Sequence, residues 1–199
     1  MNSLLRSVPF QIHRYIEIPL LLKWARLQRR LSILEIGCGS GEVARHLFSI
    51  LRPKNYIATD IDPKTIAQAE KANPKDSPVI FQVADVRKLP FEKNSFDVVI
   101  EFNTLHHVSN WKKGVDEIQR VLKPKGRLLM RDSSIETYMM PLVGYLMRQF
   151  LDRPYAEMFD QREFMSYLRY KGFQITHMVD RSLLLLLAAT LVKKSSQRS

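Results

Sequence analysis

Residues Leu31–Gly41, LSILEIGCGSG, run from a short apolar stretch straight into three glycines at alternate positions, and an amphipathic segment follows. The apolar run Leu31–Ile36 reads as a buried strand. Over Gly41–Leu51, residues Val43, Ala44, Leu47, Phe48 and Leu51 share one helical face. A strand that turns into a helix through glycines can bring its backbone against a ligand with no Cβ in the way. In open α/β sheets ligands sit at the carboxyl ends of strands, where this loop would stand. This one feature commits the chain to alternating strands and helices.

The rest of the sequence keeps that alternation. Tyr56–Thr59, Val79–Ala84, Phe96–Phe102 and Arg127–Arg131 read as strands, with helices at Pro63–Ala72 and Trp111–Leu122 and a turn at Lys123–Gly126. Continuous apolar runs separated by helices predict a parallel sheet covered on both faces, in the doubly wound layout. Ile135–Phe150 reads as a helix interrupted near Pro141 and Gly144, and Gln161–Tyr170 as another ending at Gly172. Phe173–Val179 and Leu183–Val192 then form a hairpin around Asp180–Ser182. Ser7–Gln28 reads as an N-terminal helical extension, and the 199 residues as a single domain.

Composition excludes more than it selects. The single cysteine, Cys38, rules out an internal disulfide and a cysteine-built zinc site, so no metal is expected. Neither a secretory signal nor an apolar run of about 20 residues is evident, so a cytoplasmic protein is expected. The net charge of +11 would favour anionic partners, but the basic residues are dispersed, as solubility alone requires. That argues against a nucleic-acid groove while leaving nucleic acid as an alternative.

The glycine spacing narrows the ligand. A dinucleotide fingerprint would carry glycine at the sixth position, where Glu42 stands, and no Gly-Lys-Ser/Thr follows to make a phosphate loop. Glu35, two residues before the first glycine, would repel a pyrophosphate and suit a cationic amino group. Asp60 closes the next strand, where a carboxylate can accept from both hydroxyls of a ribose. Asp85 ends the third strand and could accept from an adenine amino group, with the amide of Val86 beside it. Asp62 precedes Pro63 and reads as a helix cap.

Four blocks together resemble the class I methyltransferases, in the small family that includes ubiquinone- and menaquinone-type C-methyltransferases. They are Ile33–Gly41, Ile57–Glu70, Val83–Phe91 and Ser95–Gly126. The resemblance implies a seven-stranded, mostly parallel, Rossmann-like α/β sheet with a C-terminal antiparallel hairpin, and S-adenosyl-L-methionine as cofactor. It implies that Glu35, Gly37, Cys38, Gly39 and Gly41 line the methionine side of that cofactor. By the same resemblance Asp60 and Ile61 hold the ribose and flank the adenine, and Asp85 and Val86 read the adenine edge. Phe102 and Asn103 face the amino-acid part and the acceptor. The family places an acceptor-covering insertion after the fifth strand, where residues 132–159 fall; their Met and aromatic content would suit an apolar acceptor.

Methyl transfer from a sulfonium leaves a neutral product, so alignment and exclusion of water supply most of the rate. No catalytic set is therefore assigned. His106 and His107 read first as packing residues, and as a base only if the acceptor must lose a proton. Phe10–Leu27 reads as a lid helix, with peripheral membrane contact as the alternative. The reaction expected is methylation of a small, apolar or anionic acceptor. An RNA methyltransferase and a cofactor-binding regulatory protein without activity stand as alternatives. Residues 101–104, Glu-Phe-Asn-Thr, differ from the Asn-Pro-Pro-aromatic loop that suits a flipped base.

Overall fold

The computed structural model describes residues 16–27, 30–132, 159–181 and 184–192. Most of the expected insertion, the expected helix over Ile135–Phe150 and the first part of the N-terminal extension lie outside the described residues. Seven strands form one sheet: β1 Ser32–Ile36, β2 Asn55–Asp60, β3 Val79–Val83, β4 Phe96–Phe102, β5 Leu122–Asp132, β6 Phe173–Arg181 and β7 Leu184–Leu191. Their spatial order is β3-β2-β1-β4-β5-β7-β6. The first five pair in parallel, whereas β7 runs antiparallel to both β5 and β6.

Among the described residues, five α-helices cover the two faces: α1 Ile18–Ala25, α2 Glu42–Leu51, α3 Pro63–Lys71, α4 Trp111–Val121 and α5 Gln161–Tyr170. On one face Ile18 and Ala25 of α1, Ala44 and Leu47 of α2, and Ile66 and Ala69 of α3 pack on Ile33, Tyr56 and Ile100. On the other, Trp111, Val115, Ile118 and Val121 of α4 and Phe164 and Leu168 of α5 pack on Leu34, Val99 and Leu128. The alternation along each strand divides these two sets, since successive side chains point to opposite faces.

Local chemistry fixes several boundaries. The Asp62 carboxylate caps α3 by accepting from the Lys64 N–H at 2.9 Å and the Thr65 hydroxyl at 3.2 Å, with Pro63 in the first turn. Asp160 caps α5 by accepting from the Glu163 N–H at 2.9 Å. The turn expected at Lys123–Gly126 falls inside β5. Leu122 pairs with Phe96 and Arg127 with Val98, so the ladder shifts register across these residues. Lys125 there takes a left-handed backbone, and a Cβ on Gly126 would stand 2.8 Å from the Lys123 carbonyl oxygen. No described helix is long and apolar enough to cross a membrane.

The chain order reverses direction at β1, with β2 on one side and β4 on the other. Such a switch point opens a crevice at the carboxyl ends of the two strands. Several of the residues expected to bind a cofactor gather there.

Candidate functional site

A cavity of about 470 Å³ opens at the switch point, within the size range of small-ligand pockets. The glycine loop after β1, the end of β2, the loop after β3 and the segment after β4 form its walls. Of the residues expected at a cofactor site, Gly37, Gly39, Asp60, Ile61, Asp85, Val86 and Asn103 line it.

The glycines do two different jobs. Gly37 has φ +65, and a Cβ there would stand 1.8 Å from Thr104 Oγ1, so this position admits the segment after β4. Gly39 has φ +52, and a Cβ there would meet no protein atom within 4 Å. Its bare backbone faces open space in the cavity wall. Asp60 holds this loop in place: one carboxylate oxygen accepts from the Gly39 N–H at 3.0 Å and the other from the Asp62 N–H at 3.0 Å. Ile61, 61% exposed, stands at the mouth of the cavity.

Glu35, Cys38, Gly41 and Phe102 do not line the cavity. Strand alternation turns Glu35 to the opposite side of β1 from Ile36, where it is buried and accepts from the Tyr56 hydroxyl at 2.6 Å. Burial pushes its carboxyl up to about 7, against smaller opposing effects of that hydrogen bond and of Arg45. It is therefore not a free anion set beside the glycine loop. The Cys38 amide is also engaged, donating to the Thr59 carbonyl at 2.9 Å, and burial pushes its thiol up. The Gly41 N–H donates to the Cys38 carbonyl at 2.9 Å, so that part of the loop is bonded to itself. Phe102 packs with the core face that α1–α3 cover.

Asp85 does line the cavity, with its carboxylate already occupied. Arg87 donates to it from its backbone N–H at 2.8 Å, from Nε at 3.0 Å and from Nη2 at 2.7 Å. The Arg87 guanidinium holds the Asp85 carboxyl below its usual range. Arg87 also reaches Ser109 Oγ at 3.3 Å, so it bridges the loop after β3 to the segment after β4. The sequence gives Arg87 no evident role, because an arginine four residues after a strand end looks like any solvated cation.

The segment after β4 carries Thr104, which the sequence did not single out, and the two histidines that it did. Thr104 and His107 line the cavity, and His106 is buried beneath. The His106 N–H donates to Asp132 Oδ2 at 3.1 Å, while His106 Nδ1 is bonded to Asp132 Oδ1. The His106 and His107 rings lie with centroids 3.7 Å apart. Glu101 is fully buried, and its Oε1 accepts from the N–H groups of Thr104 at 2.5 Å and Leu105 at 3.1 Å. Burial and the neighbouring Asp132 carboxylate raise its carboxyl well above the usual range. Adjacent histidines could be found in the sequence, but Asp132 joins them only through the pairing of β5 with β4.

A family model described as a methyltransferase domain matches residues 34–130. The chain is 35% identical over 100 residues to the phthiotriol/phenolphthiotriol dimycocerosates methyltransferase of Mycobacterium leprae (strain TN), covering 50% of this chain and 37% of that protein. It is 35% identical over 106 residues to the 27-O-demethylrifamycin SV methyltransferase of Amycolatopsis mediterranei (strain S699), covering 50% and 38%. The chain thus spans less than half the length of these two curated relatives. The solved S-adenosylmethionine dependent methyltransferase of Mesorhizobium loti has the same fold, with a TM-score of 0.71 at 22% identity over 87% of this chain and 97% of that one. The matched stretch runs from β1 to β5 and contains every residue that walls the cavity, so over residues 34–130 the chain carries a methyltransferase domain.

Proposed function

We propose that the chain transfers the methyl group of S-adenosylmethionine to a small acceptor whose nucleophilic atom carries a proton, such as a hydroxyl. The cavity supports the cofactor assignment on its own geometry. Gly39 leaves open the space that a Cβ would fill, and Asp60, beyond its two backbone bonds, keeps acceptor capacity for a ribose diol at the end of β2. Asp85 and Val86 wall the end where an adenine would lie. When bound, the cofactor supplies an activated methyl group, and its sulfur keeps the electron pair of the broken carbon–sulfur bond.

The observation that carries the acceptor class is the close, tilted contact of His107, in the cavity wall, with His106, which Asp132 orients. His107 accepts the acceptor's proton as the new bond to the methyl carbon forms. His106, fixed by Asp132, holds the ring of His107 in place. The names of the two relatives, which specify phthiotriol-type dimycocerosates and a rifamycin, support a small molecule over RNA.

Calorimetry with S-adenosylhomocysteine tests the cofactor. The wild-type chain binds it, and Asp60→Ala weakens binding about tenfold or more, as loss of charge-assisted bonds requires. Absence of binding by the wild type overturns the assignment. Labelled methyl donor with a fractionated metabolite extract then identifies the acceptor. On that acceptor His107→Asn lowers kcat by roughly 10²–10⁴-fold with S-adenosylhomocysteine affinity unchanged. An unaltered kcat would remove the proton-acceptor role.

A further inference from the structure

Arg131 is an unassigned cation behind the cavity wall. It lies near the end of β5, and its partner on β4 is Phe102. Its backbone carbonyl accepts from the N–H of Asn103 at 2.8 Å, and its Nη1 donates to Asn103 Oδ1. On the other side its Nε lies 3.5 Å from Glu17 Oε2, with the Glu17 side chain only 4% exposed. Glu17 immediately precedes α1, which packs against β5 and β7. One guanidinium therefore joins the N-terminal helix to a residue of the cavity.

Asn103 stands just beyond β4 in a left-handed backbone conformation, φ +58, which brings it into the wall. Its amide orientation is settled by chemistry, because arginine has only donors and must face the oxygen. The Nδ2 hydrogens are then the part of the amide left for a ligand. The cavity becomes polarised: Asp60, Asp62 and Asp85 line one end, and a donor backed by a half-buried cation stands at the other. An adenosine suits the acidic end, where hydroxyl and amino groups need acceptors. A carboxylate suits the other.

We propose that Arg131 is a positioning residue that presets Asn103 as the hydrogen-bond donor for the α-carboxylate of the cofactor, and that Glu17 couples this contact to the docking of α1. The proposal rests on the cofactor reading above. Because Arg131 acts through Asn103, it affects how the carboxylate is recognised and leaves the adenosine half untouched.

The test compares S-adenosylhomocysteine with 5′-(3-aminopropylthio)-5′-deoxyadenosine, which lacks only the carboxylate, by calorimetry or competition. The wild type favours S-adenosylhomocysteine by about tenfold or more, as one charge-assisted hydrogen bond provides. Arg131→Met and Asn103→Ala each abolish that preference while affinity for the analogue stays within about twofold. The double variant is no worse than either single one, as expected for residues acting as a unit. Arg131→Lys, which keeps the charge without the planar fork, retains only part of the preference and covers the case in which the methionine variant folds poorly. In hydrogen exchange, S-adenosylhomocysteine protects residues 18–25 of the wild type more than the analogue does, and Glu17→Gln removes the difference. An Arg131→Met protein that keeps the wild-type preference, or loses affinity for both compounds equally, overturns the proposal. A wild type that binds neither compound overturns the cofactor reading as well.

Discussion

Single residues at this site work against ordinary preferences, and that is where substitutions are most telling. Gly37 cannot carry a side chain without expelling Thr104 from its seat between the Ile36 and Phe102 carbonyls. Gly37→Ala is expected to cost about 1–3 kcal/mol by urea unfolding, with part of that restored by adding Thr104→Ala. Glu35 makes a second case. Its carboxyl, ordinarily near 4.5, is raised to about 7 in the folded chain. A raised carboxyl stabilises the fold fully at pH values below its unfolded value, and that contribution is lost as pH rises through 7. Glu35→Gln should therefore gain on the wild type by a total of about 3 kcal/mol between pH 5 and pH 8, seen as a growing difference in Tm. A difference that stays flat would mean that Glu35 ionises normally. The sequence shows the acid but not its direction. Glu35 as counter-ion and Glu35 as buried partner of Tyr56 differ by one pleat of β1, and the tyrosine lies 21 residues away.

At the scale of elements, the loop after β3 is clamped to α4 by two paired side chains. Arg120 donates to the Phe91 carbonyl at 2.6 Å and the Leu89 carbonyl at 2.9 Å, while Glu117 pairs with Arg120 and accepts from the Leu89 N–H at 2.8 Å. Arg120→Ala is expected to destabilise by about 1–3 kcal/mol in urea, and Arg120→Lys by less. The same loop should gain amide exchange selectively, since residues 85–87 at its start wall the cavity. Most elements were legible because their signals are local. Phe96–Phe102 and Gln161–Tyr170 have the bounds their patterns imply, and Asp62 caps its helix as the following proline suggested. Arg120 was not legible as a clamp, since its acceptors are carbonyls about 30 positions away. Nor was the register shift inside β5, which depends on the partner strand.

For the whole molecule, filling the cavity should stabilise everything that surrounds it. S-adenosylhomocysteine at about 100 times its Kd adds roughly 2.7 kcal/mol. For a chain of this size that raises Tm by about 5–10 °C, and Asp60→Ala should flatten the response in a thermal-shift measurement. The parallel half of the sheet and the closing hairpin follow from periodicity, but the placement of β7 between β5 and β6 does not, because strand order is a non-local property. That placement has a consequence for biosynthesis. During translation β5 has no neighbour on its outer side until residues 184–191 emerge, although its own residues appear some fifty positions earlier. Leu185–Ala189, all buried in the finished sheet, are what close that edge. A chain halted before them would leave the edge of a hydrophobic strand open to other nascent chains, so truncation ahead of β7 is expected to promote aggregation.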